Sequence, residues 1–288
     1  MRVAVTGSHG LIGSALIDSL GRDGNETIRV SRNAHGRIDT TALEGADAVV
    51  HLAGHPIGAK LRWDQTHRRK IRQSRVDGTR QVSEAVTRLD PKPRVLVSAS
   101  AVGYYGNRGD EVLDEHAGHG EGFLAELCVA WEASTGAAAD AGIRVVRTRS
   151  GLVLSPRGGL LPKLLLPGKL GLGARLGSGR QWMSWITLAD EVRLIRACLD
   201  DDSISGPVNA AAPDPVTNAT MTSTIGRVLK RPAVLMVPAA ALRLGLGRET
   251  ADETVLTSQR VEPAVLTRTG FEFEDRELEP ALRKLLDR

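Results

Sequence analysis

Apolar runs of strand length alternate with helix-period segments through the first half of the chain. Val3-Ala4-Val5 reads as a short buried strand, and Leu11, Ile12, Ala15, Leu16, Ser19 and Leu20 follow at helical spacing. Further strands are expected at 27–31, 48–52, 95–98 and 143–147. Near-continuous Val and Leu runs separated by helices predict a parallel sheet covered on both faces. The expected fold class is therefore α/β, a doubly wound parallel sheet of the Rossmann type. Ligands of such a sheet bind beyond the carboxyl ends of its strands.

The second half has a different texture. Gly158, Gly159, Pro162, Pro167, Gly168, Gly171, Gly173, Gly177 and Gly179 read as a loop-rich stretch. A helix over about 188–199 is expected to return to the sheet. A short strand at Val208-Asn209-Ala210, a helix near 221–229, a strand near 234–237 and a terminal helix over about 278–286 follow. This half is read as a smaller lobe that closes over a ligand.

Composition narrows the class further. Hydrophobic residues make up 41% and charged residues 25% of 288, ordinary for a soluble domain with a sizeable core. The net charge of +4 is mild and its basic residues are interleaved with acids, so a solvated surface is expected rather than a nucleic-acid partner. Cys128 and Cys198 are far apart and have no metal-ligand spacing, so neither a disulfide framework nor a metal is expected. No leader-like start and no apolar run near ~20 residues is visible, which argues against a membrane partner and for a cytoplasmic protein.

Three glycines, Gly7, Gly10 and Gly13, lie between the first strand and the first helix. Their spacing suits a tight turn, a close backbone approach to a diphosphate and close helix–strand packing. The free N–H groups of the helix start then face the phosphates. Gly7, Ser8, Gly10, Leu11, Ile12 and Gly13 are thus candidate cofactor residues. The second strand runs into Val30-Ser31-Arg32 with no acid to hold a ribose 2′-hydroxyl. Arg32 suits a 2′-phosphate instead, which favours NADP over NAD. A solvated loop arginine is the competing reading.

Leu52, Ala53 and Gly54 end a strong strand and are read as cofactor contacts, or else as a strand-exit turn. Residues 64–86 look helical, and Arg75 falls on the apolar stripe marked by Ile71, Gly78 and Val82. A cation there is costly unless paired, so Arg75 is either a ligand contact or half of an ion pair. Ser98 and Ser100 follow the strand at 95–98, with Tyr104 and Tyr105 just beyond, and all four are placed at the cleft a nicotinamide would enter. Ser98 is counted with the cofactor residues and Ser100, Tyr104 and Tyr105 as candidate catalytic residues. Residues 177–186, with Trp182 and Trp185, are read either as a pocket wall or as simple core.

Taken together, Thr6-Gly7-x-x-Gly10-x-x-Gly13, His51-Leu52-Ala53-Gly54, the stretch from Ser98 to Gly106 and Trp185-Ile186-Thr187-Leu188-Ala189-Asp190 resemble the extended short-chain dehydrogenase/reductase superfamily. Ser74-Arg75-Val76, Phe123-Leu124-Ala125-Glu126, Trp131-Glu132 and the segments at 177–185, 207–210 and 259–263 are similar to its NAD-dependent epimerase/dehydratase branch of bacterial, YfcH-type "epimerase family proteins". The resemblance spans the whole chain, including a C-terminal segment of uncharacterised type. It implies a Rossmann fold, an NADP-type cofactor and sugar-nucleotide-like ancestry. Its Tyr-x-x-x-Lys pair maps onto Leu124 and Cys128, which can neither donate a proton nor hold a ribose.

The organisation expected is an NADP-binding Rossmann domain over 1–155, completed by about 186–206, with 156–185 and 207–288 as the smaller substrate lobe. The expected function is that of an NADP(H)-binding epimerase-type protein, an oxidoreductase or epimerase on an unknown carbonyl or sugar-nucleotide-like small molecule. A non-catalytic NADPH-binding regulator or redox sensor is the alternative.

Overall fold

A computed structural model describes residues 1–33 and 36–287 of the chain. Six parallel strands form the main sheet: β1 (Arg2–Thr6), β2 (Glu26–Val30), β3 (Ala48–His51), β4 (Val95–Ala101), β5 (Arg144–Ser150) and β6 (Gly206–Ala210). Their spatial order is β6-β5-β4-β3-β1-β2. The chain leaves β1 for β2 on one side, then crosses back to β3 on the other. The order therefore reverses beside β1, and a crevice opens at the carboxyl ends of β1 and β3.

Why both faces of the sheet are covered follows from the strand residues. Val3, Val5, Val50, Val97 and Val146 point to one face, where helix α1 (Leu11–Arg22) packs Leu16 and Leu20 against them. Ala4, Val49, Leu96 and Val145 point to the other face, against Val82, Val86 and Ala138. Alternation of side chains along a strand thus feeds two apolar layers, which is why the runs carry so few polar residues.

The helical stretch after β3 forms as three joined pieces. Helix α2 (Gln65–Arg72) is N-capped by Asp64, whose carboxylate accepts from the His67 N–H at 2.6 Å. A π-turn over Gln73–Asp77 follows, then helix α3 (Gly78–Val86). The wider π-turn adds one residue to the ladder, and Arg75 and Val76 are the buried members of that turn. Helix α4 (Phe123–Ala133) follows β4, and helix α5 (Leu188–Asp200) returns the chain to the sheet before β6.

Two features of the second half differ from expectation. Residues Leu161–Lys169 form a helix inside the stretch read as loop. Pro162 sits in its first turn, where no backbone N–H is needed, and Leu161, Leu165 and Gly168 are buried. The strand Gly206–Ala210 pairs with β5 at the edge of the main sheet, so residues 207–210 belong to that sheet rather than to the lobe. Within the lobe Leu235–Val237 pairs beside Ala174–Leu176, while Arg260–Val261 pairs beside Val112–Leu113 of the first half. Among the described residues, no helix is long and apolar enough to cross a membrane.

Candidate functional site

The glycine turn sits at the mouth of the crevice. Gly7 has a φ of +67°, a left-handed conformation that glycine adopts at no steric cost. A Cβ there would also stand 2.8 Å from the Leu52 carbonyl atoms. At Gly13 a Cβ would lie 2.3 Å from the Gly7 carbonyl oxygen, so only glycine lets α1 pack this close to the turn. Helix α1 starts from Gly10 with no side-chain cap and no acid in its first turn. Its leading N–H groups, at Leu11, Ile12 and Gly13, therefore present positive charge to the crevice without a local anion. These features fit a dinucleotide diphosphate. Ser8 itself is buried, and its carbonyl accepts from Arg29, so Ser8 would meet a ligand through its backbone.

The groove beyond the turn has a volume of about 460 Å³ and is lined by Thr6–Gly10, Val30–Arg32, Ile38 and Leu52–Gly54. It brings together the glycine turn, Arg32 and the end of β3. Arg32 is exposed and donates to the Gly36 carbonyl at 2.6 Å, which leaves its other donors available at the rim. A second depression of about 730 Å³ shares Arg32 and Gly54 and adds Arg37 and Lys70.

A buried polar knot joins β1 to β3 beneath this groove. The Thr6 hydroxyl accepts from the N–H groups of Leu52 and Ala53, at 3.2 and 3.3 Å. Its own proton is then free to go to His51 Nδ1, 2.7 Å away. His51 is thereby held neutral, its pKa lowered to about 4 first by burial and then by the Arg32 charge.

Toward β4 and β5 the residues read as catalytic are built into a second network. Ser100 is buried and donates to Glu132 Oε1 at 2.7 Å. Arg149 on β5 forms a two-pronged pair with Glu132, at 2.8 and 2.9 Å. Tyr105 is fully buried and donates to Asn209 Oδ1 or the Asp114 carbonyl while accepting from Arg149. Burial pushes the Tyr105 phenol up to about 12, and hydrogen bonds from its neighbours only partly oppose this. The Ser100 and Tyr105 hydroxyls are both engaged within this network, so neither is free for the catalytic role read for it. Tyr104 differs: it is half-buried, with its ring face 3.5 Å from the Arg149 guanidinium. Ser98 is buried within β4 and does not line the groove.

Across from this network, Leu124 and Cys128 of α4 face the turn at Gly103, whose missing Cβ would lie 3.7 and 3.8 Å from them. Burial first, and then the Glu132 charge, push the Cys128 thiol up to about 12, so it is an inert side chain. Arg75 reaches the same region. It is buried, donates to the His55 carbonyl at 2.8 Å and lies 5.0 Å from the Trp131 ring centre. The ion-pair alternative for Arg75 has no carboxylate partner among the described residues. The C-terminal lobe closes the start of α4: Glu253 accepts from the N–H groups of Phe123 and Leu124, at 2.8 and 2.7 Å. Trp182 and Trp185 brace the lobe, donating to Asp110 and to the Asp214 carbonyl.

Glu253 and Glu191 escaped the sequence reading, and Glu132 entered it only as a mark of the family resemblance. Glu132 carried a signal, since it stands one turn after Cys128 on the buried stripe of α4. Glu191, in the first turn of α5, is fully buried and accepts from Ser150 at 2.6 Å. Burial raises its carboxyl to about 7. A raised carboxyl favours folding fully below its unfolded value of 4.5, and that contribution is lost as pH rises through 7. His51 acts oppositely, its contribution present above 6.5 and lost as pH falls toward 4. Glu191→Gln should therefore gain about 3 kcal/mol relative to wild type between pH 4 and pH 8. Urea unfolding across that range checks this, and a pH-independent difference would refute it.

Comparison with known proteins bears directly on this geometry. Residues 3–211 match the NAD dependent epimerase/dehydratase family, and residues 237–285 match a domain of unknown function, DUF1731. The chain is 46% identical to the epimerase family protein Mb2239 of Mycobacterium bovis, over 97% of this chain and 96% of that protein. It is 34% identical to the human epimerase family protein SDR39U1, whose crystal structure with NADPH superposes with a TM-score of 0.93 and covers 100% of this chain and 99% of the human one. The UDP-glucose 4-epimerase of Thermotoga maritima, at 17% identity and a TM-score of 0.76 over 99% of this chain and all of that one, shares the fold. A glycine turn at the strand-order switch, a sheet of this topology and a match over most of its length make this chain a member of the NAD dependent epimerase/dehydratase family.

Proposed function

We propose that the chain binds NADP(H) in the groove at β1 and β3 and acts on a small carbonyl or sugar-nucleotide-like substrate without a Tyr-x-x-x-Lys pair. One observation carries the reading. The uncapped start of α1, framed by Gly7, Gly10 and Gly13, opens into the groove whose far rim is Arg32. The helix start would hold the diphosphate, and Arg32 would hold the 2′-phosphate. Ala53 and Gly54 would let the dinucleotide lie close to the backbone. The NADPH in the human relative's structure supports the same choice of cofactor.

When bound, the nicotinamide supplies hydride exchange. The protein's own part is to orient the substrate and handle a proton. Of the two tyrosines, Tyr104 is the one whose hydroxyl no neighbour holds among the described residues. It would therefore be the donor to a substrate oxygen. The Arg149 guanidinium, 3.5 Å from the ring centre, holds that ring in place.

Leu124 and Cys128, apolar and inert, favour a second reading in which the protein holds NADPH without turning it over. The two separate on one experiment. Purified protein with NADPH is offered a panel of aldehydes, ketones and nucleotide sugars while absorbance at the nicotinamide band is followed. Turnover that is lost in Tyr104→Phe supports the enzyme. Tight NADPH binding with no turnover on any compound supports the regulator.

A further inference from the structure

Two segments of the second half carry no acid. Between Asp140 and Asp190, and again between Asp214 and Glu249, every charged side chain is Lys or Arg. The fold brings parts of both together. Helix Leu161–Lys169 buries Leu161, Leu165 and Gly168. Lys163, Leu166, Lys169 and Leu170 face outward, at the i+3 and i+4 steps of one stripe. The turn that follows meets the start of the lobe strand Leu235–Val237. The Leu235 N–H donates to the Gly173 carbonyl at 3.3 Å, and a Cβ on Gly171 would lie 3.6 Å from the Pro232 ring.

Six apolar side chains stand on this face: Leu166, Leu170, Leu172, Val234, Leu235 and Met236, each between 45% and 83% exposed. Apolar side chains scattered singly on a surface are ordinary, whereas a group on adjoining turns marks a contact surface. Lys163, Lys169, Arg175, Lys230 and Arg231 accompany them. All five are exposed, and none has an ion pair among the described residues. The Arg175 guanidinium lies 3.6 Å from the Met236 sulfur, so charge and apolar surface meet at side-chain range.

The chemistry of the face selects its occupant. A second copy docked face to face would set these cations against their own kind. A partner strand would find a poor template. Leu235–Val237 is three residues long, and Pro232 and Pro238, which have no N–H to donate, stand close to its two ends. An anionic bilayer answers both halves of the pattern. Its headgroups attract Lys and Arg, and the acyl boundary beneath them takes Leu, Val and Met from turns that stand proud. We propose that this face docks the protein peripherally on an anionic phospholipid surface. No helix among the described residues is long and apolar enough to cross a membrane, and docking needs none. The sequence expectation against a membrane partner rested on the lack of a leader and of a spanning run, which concerns insertion rather than docking. Docking of this kind is independent of the cofactor.

Co-sedimentation of the full chain with lipid vesicles tests it. Vesicles of equal parts phosphatidylcholine and phosphatidylglycerol are expected to bind at least about tenfold more tightly than phosphatidylcholine alone, with the difference shrinking as salt rises. Leu170→Ser/Leu172→Ser, which keeps every charge, should weaken binding to the mixed vesicles about tenfold. Lys169→Gln/Lys230→Gln should weaken it by about the same factor. All four side chains are exposed, so both variants should unfold at the wild-type temperature, which separates lost docking from lost fold. Absence of binding to the mixed vesicles would overturn the proposal. So would binding that the leucine changes leave intact, which is adsorption by charge alone. Self-association without lipid that the leucine changes abolish would overturn it too, by assigning the face to a second copy.

Discussion

Gly13→Ala should abolish measurable dinucleotide binding while leaving a weakened but folded chain. The new Cβ would stand 2.3 Å from the Gly7 carbonyl oxygen and 3.0 Å from the Ser8 Cα. These are backbone atoms, so no rotamer change relieves the clash. Either α1 or the turn must move, and each carries half of the proposed diphosphate cradle. Overpacking of this kind costs about 1–3 kcal/mol of stability. The larger effect falls on the ligand, with a loss of at least about a hundredfold in affinity, because several N–H groups lose alignment together. Titration with NADPH and thermal unfolding of the same preparation read both effects. A variant that unfolds at a lower temperature but binds with wild-type affinity would show that the cradle is not where the dinucleotide sits.

The second large effect is expected at the Glu132–Arg149 pair. Side-chain exposures of 8% and 4% place it in the interior, where a lone charge finds little solvent. Removing one member leaves the other buried without compensation, at about 3–5 kcal/mol. Against a total stability of roughly 5–15 kcal/mol, this is a drop of order 10 °C in melting temperature. Glu132→Gln should show it. The pair also fixes Ser100, Tyr105 and, through the Arg149 guanidinium, the ring of Tyr104. The double variant Glu132→Gln/Arg149→Gln should lose clearly less than the sum of the single losses, because neither charge is then stranded. Strict additivity would mean that the two side chains do not act as a pair.

The strands and the glycine turn could be read from the chain because both are local patterns. Val3-Ala4-Val5 and the other apolar runs announce buried strands, and Gly7, Gly10 and Gly13 mark a turn only a few residues long. The helix over 64–86 was legible for the same reason. The π-turn within it was not, since a one-residue change in the ladder leaves no mark on hydrophobic period. Helix Leu161–Lys169 was hidden by its prolines, which read as breaks although Pro162 sits where a helix tolerates it. The reaction end was the least legible part. Ser100, Tyr104 and Tyr105 were singled out because they stand at or just past the end of a strand, but their surroundings depend on Glu132 and Arg149, 17 residues apart and joined only by the fold. Arg75 shows the intermediate case: its place on an apolar stripe marked it as unusual, and only the structure tells which way it faces.

The central claim is that the groove at β1 and β3 takes a dinucleotide whose 2′-phosphate lies on Arg32. The dissociation constants of NADPH and NADH, measured side by side on the wild-type protein and on Arg32→Ala, test it most directly. NADPH should bind the wild type about 10–100-fold more tightly than NADH, the range for one or two charge-assisted hydrogen bonds. Arg32→Ala should remove most of that difference by weakening NADPH alone. Equal affinities in the wild type, or a preference for NADPH that survives in Arg32→Ala, would contradict the account.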